Sequence, residues 1–179
     1  MRVAVVSDTH VPGSIPKLPE TLLSALEQAS VDRILHAGDL TDLAVLERLE
    51  AIAPTTAVAG NVDPPAVKAK LHRREILELA GHRIGLAHGH QPHALQNHYI
   101  DRGIDSPQFQ LFYQLMSAQL PGAEIIVFGH FHQPIDREWN GVRFVNPGSI
   151  APPHSRPTFA LLDLGDEVGV QRVELPPNG

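Results

Sequence analysis

A chain of 179 residues with 42% hydrophobic content is long enough for one domain whose core does not depend on metals or cross-links. It has no cysteine, which excludes a disulfide framework and a thiolate zinc site and leaves imidazole, carboxylate and amide as metal ligands. The formal net charge is −6, no basic run is long enough to track a nucleic-acid backbone, and no apolar stretch approaches membrane-spanning length. Met1-Arg2-Val3-Ala4-Val5-Val6 reads as a strand that begins at once, with no room for a signal peptide, so a cytoplasmic location is expected. Asp8-Thr9-His10 follows that strand, and Val11 to Pro16 is a Gly/Pro loop. Leu18, Leu22, Leu26 and Ala29 then fall at helical spacing. A second strand ends at Gly38-Asp39. Thr41 is expected to cap a helix carrying Leu43, Leu46 and Leu49, closed by Pro54, before a third strand from about Thr56 to Gly60. This βαβαβ pattern predicts a parallel sheet with right-handed crossovers.

Beyond Asn61 the pattern turns antiparallel. Hairpins are expected over 74–87 around Ala80-Gly81, over 135–145 around Asn140-Gly141, and over 158–175 around Gly165-Asp166. The second half is thereby expected to supply a second sheet, and two mixed sheets flanked by helices make an α/β four-layer αββα sandwich. The chain reads as a single domain, 1–179, with an insertion or lid-like segment at about 91–122 and a frayed tail from Pro176. Inside the insertion Ser106-Pro107 is a helix start, and Phe109, Phe112, Tyr113, Met116 and Leu120 recur at helical spacing. Such an aromatic face is core, or else a substrate lid or a contact between copies of the chain. The polar loop from Gln96 to Asp105 brings His98 and Arg102 as candidates to reach the active site.

Chemistry-bearing residues sit directly after the apolar runs: Asp8 and His10, Asp39, Asn61, His88, and His130 with His132. Polar residues at the carboxyl ends of buried strands collect at one edge of an α/β layer. Two Asp, one Asn and four His supply enough oxygen and nitrogen for two divalent ions around a shared carboxylate. Asp39 is the expected bridge, because it follows glycine at a strand end with no adjacent rival. Strand alternation is expected to point Asp8 and His10 the same way, and likewise His130 and His132, with Phe131 facing away. His36 reads as a core or supporting residue and His90 as a contact to substrate or to a supporting carboxylate. His93 and His154 read as surface, and Lys68, Lys70, Arg73 and Arg74 read as a solvated face or an anion-binding edge.

The ordered set Asp8-x-His10, Gly38-Asp39, Gly60-Asn61, His88 and Gly129-His130-x-His132 resembles the calcineurin-like metallophosphoesterase superfamily over nearly the whole chain. Gly60-Asn61-Val62-Asp63, His88-Gly89-His90 and Asn146-Pro147-Gly148-Ser149 resemble its small phosphodiesterase branch. The resemblance implies the four-layer sandwich and a dinuclear site, with Asp8, His10, Asp39 and His132 on one ion and Asp39, Asn61, His88 and His130 on the other. Manganese is the implied metal, with Fe, Zn, Ni or Co as other first-row choices. A hydroxide bridging the two ions is the implied nucleophile on a small phosphoester. Asp39, Asn61 and His90 are the expected catalytic residues, Asn61 and His90 the expected substrate contacts. Many relatives place His after the ligating Asn, where it protonates the leaving oxygen, and this chain has Val62. Hydrolysis of a phosphodiester is therefore favoured over a phosphomonoesterase or nucleotidase. A protein-binding scaffold of the same fold is the reading from another class, for which a degenerate metal site is expected; here every ligand position is filled. The insertion is longer than is usual in the small branch.

Overall fold

The computed structural model describes residues 1–100, 102–152 and 155–177; Asp101, His154 and the tail residues Asn178 and Gly179 lie outside them. Strand β1 (Arg2–Val6) shows how the layers arise. Val3 and Val5 join one apolar cluster while Ala4 and Val6 join another, as the period-two geometry of a strand requires. β1 pairs in parallel with β2 (Arg33–His36), and β2 with β3 (Thr55–Ala57). Helices α1 (Glu20–Gln28) and α2 (Ala44–Glu50) form the crossovers. Leu22, Leu26 and Leu49 pack beside Ala4, Val6 and Ile34, so the helical spacing in the sequence marks the buried faces. Burying each leucine contributes about 1.5–3 kcal/mol.

After the helical turn α3 (Pro65–Lys68) the chain builds a second five-stranded sheet. Its strands are β4 (Arg74–Leu79) and β5 (His82–Ala87), then, beyond the short α4 (His93–Gln96) and α5 (Gln110–Gln119), β6 (Ile125–Val127), β7 (Pro134–Trp139) and β8 (Val142–Pro147). The order is β4-β5-β6-β8-β7, with β5, β6 and β8 parallel and an antiparallel strand at each edge. Both hairpin turns take the paired left-handed conformation expected of two-residue turns, Ala80 and Gly81 at φ +50° and +85°, Asn140 and Gly141 at φ +48° and +76°. Val3, Val5, Leu35, Ile84, Val127 and Leu162 fill the space between the sheets. Helices cover both outer faces, which makes the four-layer sandwich.

Three sequence expectations are corrected. The hairpin of β9 (Thr158–Leu164) and β10 (Val168–Glu174) belongs to the first sheet, order β10-β9-β1-β2-β3, because β9 takes the free side of β1 in antiparallel register. Thr41 does not cap α2. It lies at φ +69° with its hydroxyl donating to the Val11 carbonyl, while the Asp42 carboxylate accepts the Ala44 N–H at 2.8 Å. The third strand stops at Ala57, and the remaining residues to Asn61 form an irregular connection.

In the 91–122 segment, Ser106 accepts the Phe109 N–H at 3.2 Å, as the expected helix start requires. The aromatic face is core. Phe109, Phe112, Tyr113 and Met116 are buried against Ile126, Phe128 and Phe144 of the second sheet, with the Phe112 and Phe128 rings 4.9 Å apart. Those side chains are therefore packed inside the fold.

Candidate metal centre

The expected ligands sit in the connections that follow β1, β2, β3, β5 and β6, all at one edge of the two sheets. Their backbone conformation was not anticipated. Asp8, His10, Asp39, His130 and His132 all lie at positive φ, between +46° and +72°, a region costly for non-glycine residues and concentrated at functional sites. Asp8 and His10 thus converge through left-handed turns, not through strand alternation. His130 and His132 part company. The His132 ring lies 5.3 Å from that of His10, and the His130 ring 5.3 Å from that of His88. Phe131 turns away into the aromatic core, as expected, with its ring 5.0 Å from Phe112.

Hydrogen bonds brace these strained turns. The Asp63 carboxylate accepts the N–H groups of Asp39 at 3.1 Å and Gly60 at 2.7 Å on Oδ2, and of Thr41 at 2.7 Å on Oδ1. The Asp8 Oδ2 accepts the Ser7 hydroxyl and the His130 N–H. Ser149 donates to the Asp8 carbonyl at 2.9 Å, and Asn146 to the Gly129 carbonyl at 2.7 Å. Glycine is required at 60 and 129, since a Cβ at the first would run into the Asp39 carboxylate and at the second into Ser7 Oγ. The bracing role of Asp63, Asn146 and Ser149 is not visible in the sequence. An Asp two residues after Asn carries no signal by itself.

Asp8 Oδ1 is buried and accepts no aligned hydrogen bond among the described residues, yet Nε2 of His132, His10 and His88 lies 3.2, 3.8 and 3.9 Å from it. His88 Nδ1 donates to the Ala37 carbonyl at 2.7 Å, and its Nε2 lies 3.1 Å from Asp39 Oδ2 and 3.0 Å from Asn61 Oδ1, a position where a bound cation would take the place of the ring's second proton. His10 Nε2 and His132 Nε2 face each other at 3.3 Å. Imidazole nitrogens and carboxylate oxygens crowded in this way in a buried site are a donor set that suits a divalent cation. In two triplets, Asp8–His10–His132 and Asp8–Asp39–His88, all ligand atoms lie within 4.8 Å of one another. Asp8 is common to both. His130 belongs to neither; its Nε2 lies 2.9 Å from Gln96 Oε1 on α4.

Burial pushes the Asp8 and Asp39 carboxyls up, but His132, His88 and the Ser7 hydroxyl at Asp8, and His88 and the Val62 N–H at Asp39, outweigh it and hold both below the usual carboxylate range. Burial pulls His88 down, and Asp39 and Asp8 reverse this and raise it. His130 falls to about 4 through burial and the charge of His88, and His36 to about 3 through burial. Both rings are neutral ligands or acceptors at pH 7. His36 is fully buried; it accepts the Gly38 N–H on Nδ1 and meets Thr9 Oγ1 on Nε2, a supporting residue as expected.

Among the described residues His90 touches no carboxylate. Its Nε2 accepts from the Arg73 guanidinium at 3.1 Å, and its ring lies 5.5 Å from that of His88. His93 and His98 are exposed, and so is Arg102. In the 91–122 segment Gln96, rather than His98 or Arg102, reaches His130. Its type and place offered no signal before the fold brought α4 under His130.

Positions 1–167 fit the model of the calcineurin-like phosphoesterase superfamily domain. The chain belongs to that superfamily. A probable metallophosphoesterase of Methanothermobacter thermautotrophicus is 34% identical over 168 residues, 93% of this chain and 88% of that protein. Among solved structures, a Vps29 from Entamoeba histolytica complexed with zinc aligns at TM-score 0.71 and 26% identity, covering 97% of this chain and 99% of its own. An archaeal phosphodiesterase aligns at TM-score 0.74 and 21% identity, covering 98% of this chain and all of its own (100%), which shows the shared fold. As a superfamily member the chain is a metal-binding hydrolase by family, and no helix among the described residues is long and apolar enough to cross a membrane.

Proposed function

We propose that this calcineurin-like phosphoesterase is a dinuclear, metal-dependent phosphodiesterase. The observation that carries the reading is the convergence of buried carboxylate oxygens and imidazole nitrogens around Asp8, Asp39 and His88, with Asp8 Oδ1 left without an aligned donor among the described residues. In this reading Asp8, His10, Asp39 and His132 hold one ion and Asp39, Asn61, His88 and His130 the other. Manganese is the proposed metal. Asp39 remains the proposed bridge, as the superfamily resemblance implies, while Asp8 is the carboxylate common to the two triplets; each has one oxygen that accepts a backbone N–H. Two bound ions would supply hydroxide near neutral pH and neutralise charge growing on the phosphoryl oxygens. The protein's own groups hold the site open to substrate: Asn61 is exposed at its rim, and His90 is fixed beside it by Arg73.

Val62 supports a diester as substrate. It is 49% exposed next to Asn61 and its N–H donates to Asp39 Oδ1 at 3.0 Å. An apolar side chain there brings no proton to a leaving alkoxide, so substrates with stabilised leaving groups are favoured. Manganese-loaded protein is expected to hydrolyse aryl diesters faster than alkyl monoesters, and Val62→His to raise monoester turnover relative to diester turnover at matched metal occupancy. A wild-type preference for alkyl monoesters would overturn the diesterase assignment in favour of a phosphomonoesterase or nucleotidase. A scaffold reading draws on the Vps29 likeness. It predicts no turnover of any phosphoester with either metal site filled.

A further inference from the structure

Two pockets flank the cluster, and the 91–122 segment walls both. On the His130 side a pocket of about 200 Å³ is lined by Ile100, Ile104, Phe109 and Phe131. On the His88 side a pocket of about 220 Å³ is lined by His88, His90, Arg73, Arg74, Gln91 and Gln119. Each is smaller than the roughly 300–1,000 Å³ that encloses a whole small ligand, so each has room for one arm of a substrate.

The second pocket is cationic by construction. Arg73 and Arg74 are exposed, and among the described residues neither has a carboxylate within ion-pair distance, whereas Arg2, Arg83, Arg137 and Arg143 all do. The Arg73 guanidinium is oriented by His90 Nε2; guanidinium cannot give up its proton, so His90 is the acceptor and the positive charge stays on Arg73. Gln91 and Gln119, joined by a 2.9 Å hydrogen bond, close the opposite wall with neutral amides. A solvated cationic face needs no such enclosure and does not share a wall with a candidate metal ligand.

Resting on the diesterase reading, we propose that the natural substrate is an asymmetric phosphodiester with one ester arm ending in a second oxyanion, phosphate or carboxylate, which Arg73 and Arg74 bind in this pocket. Planar guanidinium groups pair with either oxyanion through two parallel N–H donors.

The test uses four aryl phosphodiesters that share a p-nitrophenyl arm and differ in a short second arm ending in carboxylate, phosphate, carboxamide or methyl. Matching analogues have a methylene in place of the aryl ester oxygen and so have no aryl leaving group. Affinity is measured calorimetrically on the full chain with and without manganese, and KM on the esters. Charged arms are expected to bind about five- to tenfold more tightly than carboxamide, the size of one or two charge-assisted hydrogen bonds at a partly exposed site. That ratio should shrink in Arg73→Met and in Arg74→Met and weaken with salt, and carboxylate against phosphate identifies the oxyanion. Equal affinity across the arms, or a preference that survives both substitutions, would overturn the proposal. Charge-selective binding of the analogues without hydrolysis of any ester would support the pocket and refute the diesterase reading. Hydrolysis without charge selectivity would do the reverse.

Discussion

Asp63 lies outside the proposed ligand set, yet its two oxygens tie together the backbone of Asp39, Thr41 and Gly60. Asp63→Asn keeps the shape and replaces one acceptor with a donor, which leaves at least one buried N–H facing another. Metal affinity is expected to fall about 10- to 100-fold, the usual cost of losing an outer contact to a ligand; titration with manganese checks this, and unchanged affinity would refute the bracing role. Asp39→Asn should lower metal content at both sites and turnover more than any other ligand change, while Asp8→Asn should lower it at one. His36 gives a pH signature. Its folded value of about 3 lies below the ordinary 6.5, so the unfolded chain takes up a proton that the folded state refuses. Its stabilising contribution is complete above about pH 6.5 and is lost as pH falls toward 3, by up to about 1.4 kcal/mol per pH unit. Urea unfolding of chelator-treated protein at pH 7, 6, 5 and 4 should show this decline, and His36→Gln should flatten it.

Helix α5 and the strands under it behave as one unit. Phe112 is fully buried and touches rings from Phe109, Phe128 and Phe131. Phe112→Ala is expected to cost about 3–5 kcal/mol of stability, the range for deleting a core aromatic, with no change of mass in solution. A shift in oligomeric state with little loss of stability would return that face to an interface. The short α4 acts differently. It presents Gln96 to His130, and Gln96→Leu should weaken metal retention while leaving thermal stability of the metal-free chain within about 0.5 kcal/mol, as for substitutions away from the core.

At the scale of the molecule, two parallel-centred sheets bring five connections to one edge, and the proposed ligand set is divided among them. No single element holds a site, so local fraying of any one connection lowers affinity without unfolding the rest. Reconstituted protein is expected to bind two manganese ions per chain, and a count that never exceeds one at saturation would reject the dinuclear proposal.

Apolar periodicity and the residues after each run determined much of this in the sequence alone. The alternation at Val3 to Val6 and the Leu22–Leu26 spacing mark strand and helix faces because burial of a repeating face is local in origin, and Asn140-Gly141 announces its hairpin because turn geometry is local too. The ordered Asp, Asn and His fragments were legible for the same reason, each ending a strand. Which strand pairs with β1 was not legible: the 158–175 hairpin has the same pattern whichever sheet it joins, and only the free side of β1 decided it. Strand parity misjudged His130 and His132, since left-handed backbone at both sends one toward His88 and the other toward His10. The bracing by Asp63, the reach of Gln96 and the enclosure of Arg73 with Arg74 each depend on segments far apart in the chain. Tertiary packing alone brings them together, because a hydrogen bond or a pocket wall between distant segments leaves no periodic trace in the sequence.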